Sequence, residues 1–156
     1  MKILLIASNP DATIPDDDFD FYVHFNKGIN FRKTPPEKSV MFVRTSPRVD
    51  EAGSFYYSLA SRKIPSVFAM GYLEDIKKVD TEISYIPIDD IPYPEGHNPT
   101  SGWAAIQYLL NLKYEIYVCG FDLKSAWYYG RKSGHLFDYE INELENLISN
   151  GLVFRV

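Results

Sequence analysis

Cysteine is almost absent. Cys119 is the single thiol in 156 residues, so no internal disulfide framework can form. With no second Cys and no neighbouring His, it cannot build a thiolate metal site either. A reducing, cytoplasmic compartment is the expected setting. Basic blocks are missing too. Sixteen Lys and Arg face 21 Asp and Glu, for a formal net charge of -5. Without a cationic stripe, nothing supplies the phosphate contacts that dominate nucleic-acid binding, so no DNA or RNA partner is expected. Long apolar runs are lacking as well. The first one, Ile3-Leu4-Leu5-Ile6-Ala7, stops at Asn9-Pro10-Asp11, far short of a signal-peptide core or a membrane span. No transmembrane segment or outward targeting is expected, and peripheral membrane contact stays open. The glycines of a phosphate loop are also missing, because Gly-x-Gly-x-x-Gly occurs nowhere. Aromatic residues, by contrast, are plentiful. Twelve Tyr, ten Phe and two Trp make 15% of the chain, more than a small core requires, which favours a pocket that stacks planar or sugar-like ligands.

A chain of this length fits one domain, 1–156, burying roughly 68–70% of the surface exposed by its unfolded state. Seven short apolar runs read as strands: Ile3 to Ala7, Phe21 to Phe25, Val40 to Val43, Ser66 to Met70, Ile83 to Ile88, Ile116 to Cys119 and Leu152 to Phe154. Several are apolar on both faces, as parallel strands buried between helices are. Helical periodicity is strong from Ser101 to Lys113 (Trp103, Ile106, Leu109, Leu110) and from Tyr139 to Ser149 (Ile141, Leu144, Leu147, Ile148). It is weaker over Ser54 to Arg62 and Leu73 to Lys78. Pro10, Pro15, Pro35 and Pro36 make the first two connections loops rather than crossover helices. The expected fold is α/β: a single Rossmann-like domain whose mostly parallel sheet of about seven strands is flanked by helices. Its ligand crevice should lie at the carboxyl ends of the strands.

Four places at those ends carry polar residues. After the first strand, Asn9 either offers its amide to a ligand or shapes the turn before Pro10. After the second, Asn26 precedes Lys27-Gly28 with the same two readings. Ahead of the strong helix, Thr100 or Ser101 is a natural N-cap, and the N–H groups of Gly102 and Trp103 at its positive end form an anion site or simply an ordinary capped start. The fourth place is richest. A strand ends at Gly120, Asp122 and Lys124 follow, and Trp127-Tyr128-Tyr129 sits in a loop bounded by Gly130 and Gly134 that leads to His135. That layout suits a closing lid, with tyrosine hydroxyls for a phosphate leaving group and an imidazole able to take a proton near neutral pH. A plain solvated loop histidine is the alternative.

Together these residues resemble the bacterial CMP-sialic-acid-dependent sialyltransferases of glycosyltransferase family 42. The likeness lies in Ala7, Asn9 and Pro10 after the first strand and in Phe19-Asp20-Phe21 leading to Asn26. It continues in Thr100-Ser101-Gly102 opening a helix, and in Lys113-Tyr114-Glu115-Ile116-Tyr117-Val118-Cys119-Gly120-Phe121-Asp122, similar to the family's GYKEIYLxGxDF. Gly134-His135 before the last helix completes it. The block from Thr100 to Asp122 with Gly134-His135 is the specific part. The resemblance implies an α/β fold, a CMP-sugar donor, a glycan acceptor and no metal or other cofactor. It makes Asn9, Asn26, Thr100, Ser101, Gly102 and Asp122 donor-binding, with the anion at Ser101 and Gly102, and His135 the general base. Where the family has a phosphate-binding tyrosine, this chain has Lys124, which supplies charge instead; Tyr128 or Tyr129 takes the place of the family's second tyrosine. Where the family has an asparagine after the third strand, this chain has Arg44, suited to a bidentate pair with a sialic-acid carboxylate.

The implied reaction is inverting displacement at the anomeric carbon by an acceptor hydroxyl that His135 deprotonates. Metal-dependent transfer through the Asp-x-Asp of Asp16-Asp17-Asp18, or through Asp89-Asp90, is the rival enzyme reading. Asp16 to Asp18 follow Pro15 rather than a buried strand, which favours a solvated loop. A non-catalytic nucleotide-sugar or glycan-binding module of the same fold is the alternative from another class.

Overall fold

The computed structural model describes residues 1–25, 30–44, 66–70, 84–86, 91–121 and 135–156, with only the backbone course described for 43–44, 66–70 and 84–86. Seven strands form one sheet: β1 (Lys2–Ile6), β2 (Phe21–Phe25), β3 (Ser39–Arg44), β4 (Ser66–Met70), β5 (Ser84–Ile86), β6 (Glu115–Cys119) and β7 (Val153–Arg155). Their order is β5-β4-β3-β2-β1-β6-β7, and every pairing is parallel. Two α-helices, α1 (Ser101–Asn111) and α2 (Phe137–Ser149), complete the described elements with two short 3-10 turns, Phe31–Lys33 and Pro36–Lys38. The weaker helical stretches, Ser54 to Arg62 and Leu73 to Lys78, lie outside the described residues. No helix among the described residues is long and apolar enough to cross a membrane.

The strands alternate between two buried faces. On one, Ile3, Leu5, Val23, Phe25, Val40, Phe42, Ile116, Val118 and Val153 pack against Trp103, Ile106 and Leu109 of α1 and Leu144 of α2. On the other, Leu4, Ile6, Tyr22 and Cys119 lie beneath Ala12 and Phe19. These last two belong to the connection from β1 to β2. Its prolines keep it from becoming a helix, and its apolar side chains cover the sheet instead. Buried on both faces, β1 needs the continuous apolar run its sequence has.

The two helices end alike although their sequences differ. At the end of α2, Gly151 takes φ 68°. Its N–H bonds to the Ile148 carbonyl and that of Leu152 to the Leu147 carbonyl, the paired reverse bonds of a Schellman cap. α1 makes the same pair, Lys113 N–H to the Leu110 carbonyl and Tyr114 N–H to the Leu109 carbonyl, with Lys113 at φ 59°. The helix therefore stops at Asn111, two residues before the Lys113 its periodicity predicts, and the chain turns straight into β6. α2 begins two residues earlier than predicted, at Phe137, with Asp138 and Glu140 in its first turn beside the positive end of the helix dipole.

Candidate functional site

From β1 the chain steps strand by strand to β5. It then returns through α1 to β6, on the opposite side of β1. The carboxyl ends of β1 and β6 therefore flank the point where the connections change direction, the usual crevice of an open parallel sheet. Three described stretches meet this edge: the loop after β1, the corner after β6, and the start of α1 with the residues leading into α2.

The loop after β1 is tightly tied. Ala7 N–H bonds to the Cys119 carbonyl at 3.0 Å, extending the β1–β6 pairing by one residue. Asn9 Oδ1 accepts the Asp11 N–H at 3.0 Å, and its carbonyl accepts the Ala12 N–H at 3.1 Å. Its side-chain oxygen thus shapes the turn, the second of the two readings of Asn9. From the 3-10 region, Asn30 Nδ2 donates to the carbonyls of Ala7 (3.2 Å) and Asn9 (2.8 Å). Lys33 Nζ donates to those of Pro10 (3.0 Å) and Ala12 (3.2 Å). Asn30 is buried, and its Oδ1 has no partner among the described residues. Neither Asn30 nor Lys33 stands out in the sequence, because the carbonyls they serve belong to every residue type. Asn26 lies outside the described residues.

At the β6 corner Gly120 adopts φ 70°, and a Cβ there would stand 2.7 Å from that of Ala12. Only glycine lets the strand leave the sheet at this angle so close to the β1 loop. The next residue, Phe121, lays its ring against Gly102 of α1, where an added Cβ would meet Cε1 at 2.8 Å, and edge-on to Phe25 at 6.1 Å. The space that Gly102 leaves open, expected to admit an anion, is filled by that ring. Asp122, Lys124, Trp127, Tyr128 and Tyr129 lie outside the described residues, as does the side chain of Arg44, whose backbone is the last residue of β3.

Thr100 is the N-cap of α1, its hydroxyl accepting the Trp103 N–H at 3.1 Å. The start of this helix already holds an anion of the protein's own. Glu140, 2% exposed, accepts the Thr100 N–H (2.7 Å) and the Tyr93 hydroxyl (2.8 Å) at Oε1, and the Thr100 hydroxyl (2.6 Å) at Oε2. Burial, reinforced by its bond to this carboxylate, pushes the Tyr93 phenol well above its usual range. The signal for Glu140 was present in sequence: an acidic residue four positions before Leu144 falls on the apolar stripe of α2. Ser101 is buried beside this cap.

His135 is half-buried, two residues before α2, with Nδ1 2.7 Å from the Asn98 carbonyl and its ring edge-on to Phe137 at 5.9 Å. A carbonyl only accepts, so Nδ1 carries the proton and the basic lone pair of the neutral ring is on Nε2.

The acidic run lies elsewhere. Asp16 to Asp18 precede β2 near its amino end, the edge away from the crevice. Asp18 is paired with Lys38 at 2.7 Å, and that hydrogen bond and charge hold its carboxyl below the usual range. No cluster of three or more metal-ligating side chains occurs among the described residues, and Asp89-Asp90 lie outside them. No family model, no curated protein and no solved structure matches this chain.

Proposed function

We propose that this chain is a Rossmann-like glycosyltransferase that moves a sugar of the sialic-acid class from a CMP-activated donor to a glycan hydroxyl, with inversion and without a metal ion. One observation carries the reading: the Asn9 turn, the start of α1 and His135, which the family resemblance assigns to donor and base, all belong to the carboxyl edge of a parallel sheet whose order reverses at β1 and β6. In the reaction, the acceptor hydroxyl gives its proton to Nε2 of His135 as its oxygen bonds to the anomeric carbon. The bond from that carbon to the phosphate oxygen breaks, and CMP departs as an anion. Such a base contributes roughly 10²–10⁴-fold. Because Glu140 already places a negative charge at the start of α1, the donor's charge is met chiefly by Lys124 and Arg44, with Tyr128 or Tyr129 bonding the phosphate. Asn9, Asn26 and Asp122 then contact the donor, while Gly102, covered by the Phe121 ring, and the buried Ser101 shape the helix start beside it.

The same Glu140 carboxylate favours a second reading, a glycan-binding or nucleotide-sugar-binding module without turnover, since it weakens the pull on a donor anion there. Measuring CMP release from CMP-sialic acid with candidate acceptors separates the two. For the enzyme, His135→Ala lowers the transfer rate by roughly 10²–10⁴ and leaves donor affinity within about twofold. A variant that transfers at the parental rate overturns the base assignment, and donor binding with no CMP release from the parent chain establishes the module.

A further inference from the structure

We propose that Glu140 is the positioning residue for His135, holding from inside the fold both chain segments that fix the imidazole. The inference rests on the reading of His135 as the base, and it adds a residue that reading does not contain. Glu140 is a buried carboxylate whose three hydrogen-bond donors among the described residues, the Tyr93 hydroxyl and the N–H and hydroxyl of Thr100, are all neutral. Burying a charge without a cation is costly, and a neutral side chain would pack there at less expense. The carboxylate's distinction is what it reaches.

Two routes run from it to His135. Along the first, Tyr93 donates its hydroxyl proton to Glu140 and accepts the N–H of Leu136 at 3.0 Å, which pins the backbone one residue after the histidine. Along the second, Glu140 grips Thr100 at both its N–H and its hydroxyl. Thr100 follows Pro99, a buried residue whose ring restricts φ, and Pro99 follows Asn98, whose carbonyl takes the Nδ1 proton of His135. The main chain that carries the imidazole and the carbonyl that sets its tautomer are thus referenced to one side chain. Tyr139, edge-on to Tyr93 at 5.5 Å and to Trp103 at 6.3 Å, fills the space beside them. Glu140 touches no reacting atom in this scheme. It acts by keeping the proton on Nδ1 and the lone pair on Nε2, aimed in one direction.

A simple brace between α1 and α2 would share these contacts, so the test reads the imidazole itself. In the full chain labelled with ¹⁵N, long-range ¹H–¹⁵N correlations distinguish the Nδ1–H from the Nε2–H tautomer, and His135→Gln assigns the signal. The parent chain should show His135 as Nδ1–H. In Glu140→Gln and in Tyr93→Phe the signature should move toward the tautomer mixture of a free histidine. Transfer should slow by roughly 10–10²-fold in kcat while the CMP dissociation constant stays at the parental value. Tyr93→Phe removes one oxygen and keeps the ring, so it decides the matter if Glu140→Gln does not fold. Parental tautomer in the folded variants overturns the proposal, and so does parental kcat in an active enzyme. Should the parent chain bind CMP yet transfer nothing, the enzyme reading fails on its own, and the tautomer comparison still decides whether Glu140 positions His135.

Discussion

Gly120 and His24 show how much single positions constrain this chain. Replacing Gly120 with alanine forces a Cβ onto a left-handed backbone and within 2.7 Å of another methyl carbon, that of Ala12. The two effects together should cost about 1–3 kcal/mol, read as a lower urea midpoint with an unchanged m-value. An unchanged midpoint would mean that the corner relaxes. His24 lies buried in β2, its Nε2 2.8 Å from the Thr34 hydroxyl, which in turn lies 3.0 Å from that of Ser39. Burial lowers its pKa from 6.5 to about 4. As pH falls below 6.5 the unfolded chain takes up a proton there that the folded chain refuses until about pH 4. The stability tied to the neutral ring is therefore complete above pH 6.5 and lost progressively down to about pH 4, a change of about 3 kcal/mol. Unfolding free energies measured across that window should fall more steeply for the parent chain than for His24→Gln; equal slopes would sink the assignment.

Helix ends are where element-scale reading from sequence fell short, and Lys113 shows why. A lysine is an ordinary helix residue by propensity, so nothing in its type announces φ 59°; the Schellman bonds to Leu110 and Leu109 impose it. Lys113→Gly should accordingly stabilise the fold by about 0.5–1 kcal/mol, since glycine accepts that backbone without a Cβ penalty, though it adds freedom to the unfolded chain. A thermal midpoint that falls would show that the lysine side chain contributes more than its backbone costs. The strands were easier to read, because an apolar run such as Ile3 to Ala7 has few other stable places to go, and it supplies all but the first residue of β1, Lys2–Ile6. The Asn9 turn and the cap at Thr100 were also legible, each being a local bond between near neighbours. The partners of Glu140, Asn30 and Lys33 were not, although the place of Glu140 on the apolar stripe of α2 was. Glu140 serves Thr100 from 40 residues away, and Asn30 and Lys33 serve carbonyls 21 to 23 residues away, spacings that no periodicity encodes.

At the scale of the molecule, the reversal of strand order between β1 and β6 gathers a loop held by Asn30 and Lys33, a glycine corner and a histidine at one edge of the sheet. A ligand seated there would bridge segments from the first loop, the middle and the last third of the chain, and so stabilise the whole fold rather than one element. CMP is the fragment to test. In the proposed reaction its phosphate is met by Lys124 and by Tyr128 or Tyr129 without a cation, and the acidic run Asp16 to Asp18 sits at the far edge of the sheet with Asp18 committed to Lys38. At 100 times its dissociation constant, CMP in EDTA should add about 2.7 kcal/mol, which for a domain of this size raises the thermal midpoint by roughly 5–10 °C. The shift should persist in His135→Ala, whose ring is assigned to the acceptor's proton and not to the nucleotide. A midpoint indifferent to CMP in EDTA but raised by UDP with Mn²⁺ would transfer the case to metal-dependent chemistry.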